Sequence, residues 1–215
     1  MMTSISNAQD SDGPTASRFE IIELYLNVAS SEGLLGNNVP PGLIGGSFGY
    51  LRQLRPEQPH FLGGRIDYLH FDAFSLTRGD LIYRTSSNTA NLALSYRCFF
   101  PKKIGPISPF FDAGLGARVL YTFTTVTFDD DSGDSDLDYD MARWVPDLSL
   151  AGGLQVHIKD EVFATVRVGY HFTPSTTYLS RQELDGFVDS SIEVFEERST
   201  PFTVINASIG INYWW

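Results

Sequence analysis

The amino-acid sequence predicts an all-β fold, a single antiparallel, up-and-down transmembrane β-barrel of eight strands. Three observations carry the prediction. Segments of about ten residues alternate apolar and polar side chains with a period of two, as strand geometry requires. The apolar sides are bulky and continuous, whereas the polar sides are dominated by Gly, Ser, Thr, Asn and Ala. Short and long connections between the segments follow one another in strict order.

The first strand is expected over residues 19–28, where Ile22, Leu24, Leu26 and Val28 oppose Glu23, Tyr25 and Asn27. Residues 43–54 and 61–71 alternate less cleanly and are rich in Gly and aromatics, but an eight-stranded count needs both. Residues 90–100 set Leu92, Leu94, Tyr96 and Cys98 against Asn91, Ala93, Ser95 and Arg97. In the next strand Phe111, Ala113, Leu115, Ala117 and Val119 oppose Asp112, Gly114, Gly116 and Arg118, and Leu120 interrupts the polar side. Leu148, Leu150, Leu154 and Val156 then oppose Asp147, Ser149, Gln155 and His157. Ala164, Val166 and Val168 oppose Thr165, Arg167 and His171, with Phe163 as the exception. The last strand sets Ile205, Ala207, Ile209, Ile211, Tyr213 and Trp215 against Asn206, Ser208, Gly210, Asn212 and Trp214.

A soluble barrel would hide its bulky apolar side and show charge outside. Here the small, polar side fits a narrow lumen and the bulky side fits lipid. Aromatics at segment ends, among them Tyr96, Phe100, Phe111, Tyr121, Phe123, Tyr170, Phe172, Tyr213 and Trp215, match the interfacial girdles of such barrels. Short turns are expected at residues 55–60, 101–106 and 158–161, and longer loops at 30–42, 73–87, 129–142 and 176–200. Short turns belong to the periplasmic side, which predicts both termini there and an outer-membrane location.

Composition sets the remaining bounds. The 215 residues suffice for one barrel over residues 18–215, and no run reaches the eighteen or more consecutive apolar residues of a membrane helix. A formal charge of −11 argues against nucleic acid as a partner. The single cysteine, Cys98, lies on an apolar strand side, where a small lipid- or core-facing residue is expected. Residues 1–17 are polar and read as a disordered leader. Within it, Ser6, Asn7, Ala8, Gln9 and Asp10 look like the remnant of an export signal peptide at its cleavage site.

Three constellations are candidates for chemistry. Glu23, Arg65, Asp67, Arg97, Asp112, Arg118, Asp147 and Arg167, with His157 and His171, fall on the polar sides and would meet in the lumen. Buried charge has to be paired, so the expectation is an ion-pair network that plugs the barrel, the alternative being a narrow solute conduit. Asp129, Asp131, Asp134, Asp136 and Asp138 place oxygen ligands at alternating positions around a glycine, a pattern suited to calcium or to cations bridging lipopolysaccharide. It lacks the closing glutamate of an EF-hand, and a solvated acidic loop is the competing reading. No zinc cluster, phosphate loop or nucleotide fingerprint is present in the sequence.

The segment Pro109, Phe110, Phe111, Asp112, Ala113, Gly114, Leu115, Gly116, Ala117 resembles the aromatic, glycine-alternating strand of small OmpA/OmpX-like and opacity-protein-like outer-membrane barrels. Ile209, Ile211, Tyr213 and Trp215 are similar to the C-terminal assembly signal of outer-membrane proteins. The resemblance implies insertion by the outer-membrane assembly machinery and contact with outer-membrane lipid. Unlike full-length OmpA-type proteins, the chain is expected to lack an appended peptidoglycan-binding domain. His171 and Thr173 are loosely similar to the His-x-Ser arrangement of lipid A deacylases, with Glu183 or Asp185 as the acid partner. The expected function is a non-enzymatic, structural, envelope-stabilising or surface-interaction role through the outer loops. A small-solute channel and a lipid-modifying enzyme are the alternatives.

Overall fold

A computed structural model describes residues 18–31, 42–78, 80–101, 105–128, 135–181 and 195–215. The expected leader at residues 1–17 lies outside them. Ten strands follow one another: β1 (Glu20–Ser31), β2 (Leu43–Gln53), β3 (His60–Arg78), β4 (Leu81–Phe99), β5 (Ile107–Phe128), β6 (Ser135–Lys159), β7 (Val162–Phe172), β8 (Ser175–Arg181), β9 (Phe195–Pro201) and β10 (Val204–Trp214). Eight close into an antiparallel barrel in the order β1-β10-β7-β6-β5-β4-β3-β2, while β8 and β9 form a separate two-stranded sheet. The first and last strands seal the barrel, with Glu23 opposite Asn212 and Leu26 opposite Ile209.

The alternation in the sequence becomes two faces of one wall. Leu94, Leu115 and Val166 are 59%, 65% and 53% exposed on the outside, while Arg65, Arg97, Arg118 and Arg167 are among the largest fully buried side chains. Such an inversion of the usual burial rule suits a wall solvated by hydrocarbon. Tyr50, Tyr213 and Trp215 gather at the end that carries the short turns, with Tyr213 and Trp215 stacked at 5.9 Å.

Three expected loops are corrected by the structure. Most of residues 73–87 belongs to β3 and β4, which stay paired as far as Arg78 opposite Leu81. Residues 135–142 of the second belong to β6, paired with β5. The third contains β8 and β9, paired from Ser175–Pro201 to Arg181–Phe195. About ten residues suffice to cross a bilayer as a tilted strand, so β3 to β6, at 19 to 25 residues, run on beyond it. Outside lipid a ladder needs no apolar face, and the alternation that marks the crossing segments fades although the pairing does not. Bulges between His70 and Asp72 and between Thr122 and Phe123 fall where these strands leave the barrel. Bulges increase local twist and re-aim the chain at such rims.

The wall encloses three layers. At the turn end Ile21, Leu51, Phe61, Phe99 and Phe110 form an apolar plug with Trp214 against it. At the loop end Leu43, Leu69, Leu120, Tyr178, Phe202 and Val204 form a second. The charged layer lies between them.

Candidate functional site

All eight charged residues expected in the lumen are buried there. Their positions follow from strand parity and from the register of the barrel. Arg97 on β4 stands directly opposite Asp112 on β5, and its guanidinium grips that carboxylate in a fork, Nε to Oδ1 at 2.6 Å and Nη2 to Oδ2 at 2.8 Å. Paired fork contacts of this kind are the strong charge-assisted hydrogen bonds. Arg97 Nη1 also lies 2.9 Å from Glu23 Oε2, and its Nη2 donates to the Tyr25 hydroxyl at 3.4 Å. Asp112 Oδ2 further faces Arg167 Nε at 3.2 Å and Arg65 Nη1 at 3.6 Å. Arg65 Nε reaches Asp67 Oδ1 at 3.3 Å.

A second group sits nearer the loop end. Arg118 Nε is 2.9 Å from Asp147 Oδ1. His171 Nδ1 lies 3.1 Å from Asp147 Oδ2 and 2.8 Å from Arg118 Nη2. Asn91 joins the groups, donating from Nδ2 to Asp67 Oδ2 at 3.2 Å and to Asp147 Oδ2 at 3.1 Å. Four arginines face one glutamate and three aspartates, so the layer is balanced in charge. The terminal nitrogens of Arg167 are buried and have no hydrogen-bond partner among the described residues.

Room for these side chains comes from glycines facing the lumen on neighbouring strands. A Cβ at Gly49 would press on Glu23, and one at Gly210 would meet the ring of Tyr25. Residues to which the sequence assigned no role close the two ends. Trp214 is ringed by Phe19, Phe61, Phe99 and Phe163 at centroid distances of 5.2 to 5.9 Å. Phe202 lies under Arg118, whose Cζ is 5.7 Å from the ring, and it packs edge-on against Tyr178 at 6.0 Å. The apolar interruptions of the polar sides, Leu120 and Phe163, were the visible trace of these plugs.

One expectation fails. His157 does not join the lumen: it is exposed at the turn end of β6, where a bulge between His157 and Lys159 leads into the turn. Its Nε2 pairs with the backbone oxygen of Asp160 at 2.7 Å.

The deacylase-like pair is placed unfavourably for chemistry on lipid. His171 is buried inside the barrel, and Thr173 Oγ1 is occupied by Phe202, accepting from its N at 3.1 Å and donating to its O at 3.2 Å. Glu183 and Asp185 lie outside the described residues, as do Asp129, Asp131 and Asp134. Asp136 and Asp138 fall on β6, where the structure describes the backbone alone.

No family model and no curated protein matches the chain. Solved structures do. A major outer membrane protein of Thermus thermophilus is similar at a TM-score of 0.55 and 11% identity, over 93% of this chain and 100% of that one. The N-terminal β-barrel domain of OprF from Pseudomonas aeruginosa aligns over 91% and 97% of the two chains, at a TM-score of 0.43 and 12% identity. Neisserial surface protein A aligns over 91% and 96%, at a TM-score of 0.40 and 13% identity. At such identities the likeness concerns architecture alone, and the architecture of this chain is that of a small eight-stranded outer-membrane β-barrel.

Proposed function

We propose that the chain is a closed, non-enzymatic outer-membrane barrel that stabilises the envelope and offers its loop end for surface interactions, with both termini on the periplasmic side. The observation that carries this reading is the filled lumen. A charged layer is stacked between two apolar plugs, and the loop-end plug is completed by Tyr178 and Phe202 from the segment between β7 and β10. An eight-stranded barrel has space for little besides its own side chains, and an apolar constriction disfavours water. The orientation rests on the short turns lying at the same end as Glu20 and Trp214. The loop end is built up by the long β3–β4 and β5–β6 hairpins and by β8–β9, which present more surface than the turns do.

Planar-bilayer recording of the purified protein tests the reading. No steady unitary current is expected at moderate voltage. Reproducible single-channel steps would replace it with the small-solute conduit.

A further inference from the structure

The outer wall carries a groove of about 840 Å³ across β7, β10, β1, β2 and β3. Two other depressions on the lipid-facing side are far smaller, about 330 Å³ beside Gly152 and about 210 Å³ between Leu94 and Leu115. The cause is local. Gly46 faces outward on β2 between Leu26 on β1 and Tyr68 on β3, so the wall lacks a side chain there while Leu24, Phe48 and Ile66 rise around the gap.

The groove ends toward the loop side at the exposed Tyr68 and the half-buried His70, which are held by the buried Asn88 and Ser86 behind them. The Tyr68 hydroxyl donates to Asn88 Oδ1 at 2.7 Å, and His70 Nδ1 lies 2.9 Å from the same oxygen. Asn88 Nδ2 donates to Ser86 Oγ at 3.2 Å. Arg84, two residues farther along the same side of β4, is exposed. Alternate residues on a strand lie roughly 7 Å apart on one face, so Arg84 stands roughly 14 Å along the strand from Asn88, the partner of His70. Hydroxyl and imidazole groups suit sugar hydroxyls, and a guanidinium suits phosphate.

We propose that this groove holds one acyl chain of a phosphorylated glycolipid of the outer leaflet, with its sugar at Tyr68 and His70 and its phosphate at Arg84. The groove is continuous with the lipid-facing belt, so apolar matter of the bilayer is what it meets. Burial from water gives no preference within a bilayer, and selectivity there comes from packing contacts and hydrogen bonds. A gap shaped by one glycine supplies the first, and the polar set supplies the second. The inference rests on the reading that the loop end faces outward.

Native mass spectrometry of the full chain, extracted from membranes in mild detergent, tests it. The wild type is expected to retain a glycolipid through steps that strip bulk lipid. Gly46→Leu fills the gap at the cost of a small adjustment against the Tyr25 backbone oxygen, and retention should fall roughly tenfold. Gly64→Leu is the control, because Gly64 also faces outward, has open space around it and lies outside the groove. Tyr68→Phe leaves the groove open and removes one headgroup contact, so it should lower retention even if Gly46→Leu folds poorly. Equal retention by wild type, Gly46→Leu and Tyr68→Phe, or none by any, overturns the groove. A retained phospholipid in place of a glycolipid overturns the assignment of the headgroup. Protease accessibility of the loop end on intact cells separates a failure of orientation from a failure of the groove, and conductance is read independently of both.

Discussion

Phe110 stands directly opposite Gly153 in the register of β5 and β6, and its ring fills the space that a Cβ at Gly153 would occupy. The neighbouring Gly152 faces lipid with open space around it. Two adjacent glycines therefore carry opposite constraints. Gly153→Val should cost about 1–3 kcal/mol through overpacking of the turn-end plug. Gly152→Val should change stability by no more than about 0.5 kcal/mol. Reversible unfolding of both variants in vesicles measures the difference, and equal costs would mean that the plug has room to relax.

That contrast also marks how far the sequence could be read. The alternation of Leu92, Leu94 and Tyr96 with Asn91, Ala93 and Ser95 sorts lipid side from lumen side because a wall between two solvents enforces a strict period of two. It therefore reveals the barrel and the residues of its charged layer. It is silent on which arginine meets which carboxylate, since Arg97 with Glu23 pairs groups 74 residues apart and depends on closure of the barrel. Beyond the membrane the period loses its cause, and the outer parts of β3, β4 and β6 look like loops. The plugs were hidden for another reason: Leu120, Phe163 and Trp214 interrupt the polar pattern one at a time, and they join two layers, Leu120 at the loop end and the other two at the turn end, only when strands distant in sequence come together.

Arg97 and Arg167 predict unequal costs for the same substitution. Arg97→Met removes the fork on Asp112 and strips Glu23 of its only ion-pair partner among the described residues, which should cost about 3–5 kcal/mol. Arg167 holds a single ion pair with Asp112, and its terminal nitrogens have no hydrogen-bond partner among the described residues. Its replacement by Met relieves that burial, and Asp112 keeps Arg97 and Arg65, so the net cost should stay under about 1 kcal/mol. A double-mutant cycle of Arg97 with Asp112 should give a coupling above about 1 kcal/mol. Equal losses for the two methionine variants would mean that the layer acts as a diffuse field and not through individual pairs.

The lipid-facing wall predicts a depth-dependent penalty. Leu94 lies midway along the crossing part of β4, whereas Phe100 follows the end of that strand. Arginine at a bilayer midplane on a barrel costs about 2–4 kcal/mol and falls to about 0–1 kcal/mol near the interface. Leu94→Arg should therefore destabilise strongly and Phe100→Arg weakly, read from unfolding in lipid vesicles. A soluble barrel would show no such gradient, and the wild type would stay monodisperse in plain buffer.

The loop-end plug predicts a specific opening. Ser87 is buried on the lumen side of β4 just beneath β8, and its hydroxyl lies 3.4 Å from the backbone oxygen of Leu179. Ser95, also buried on that side, belongs to the charged layer's depth. With Cys98 replaced by alanine, a cysteine at position 87 should resist a small water-soluble thiol reagent. Truncating both Tyr178 and Phe202 to alanine removes the two rings that cover this mouth, so labelling at 87 should rise by about tenfold or more, the population shift that roughly 1.4 kcal/mol of lost packing produces. A cysteine at 95 should remain protected in the same background, because Arg118 and Asp147 still fill the barrel above it. Labelling of both positions would show that the rings hold the whole lumen closed, and labelling of neither would place the seal in the rest of the loop-end plug, Leu43, Leu69, Leu120 and Val204.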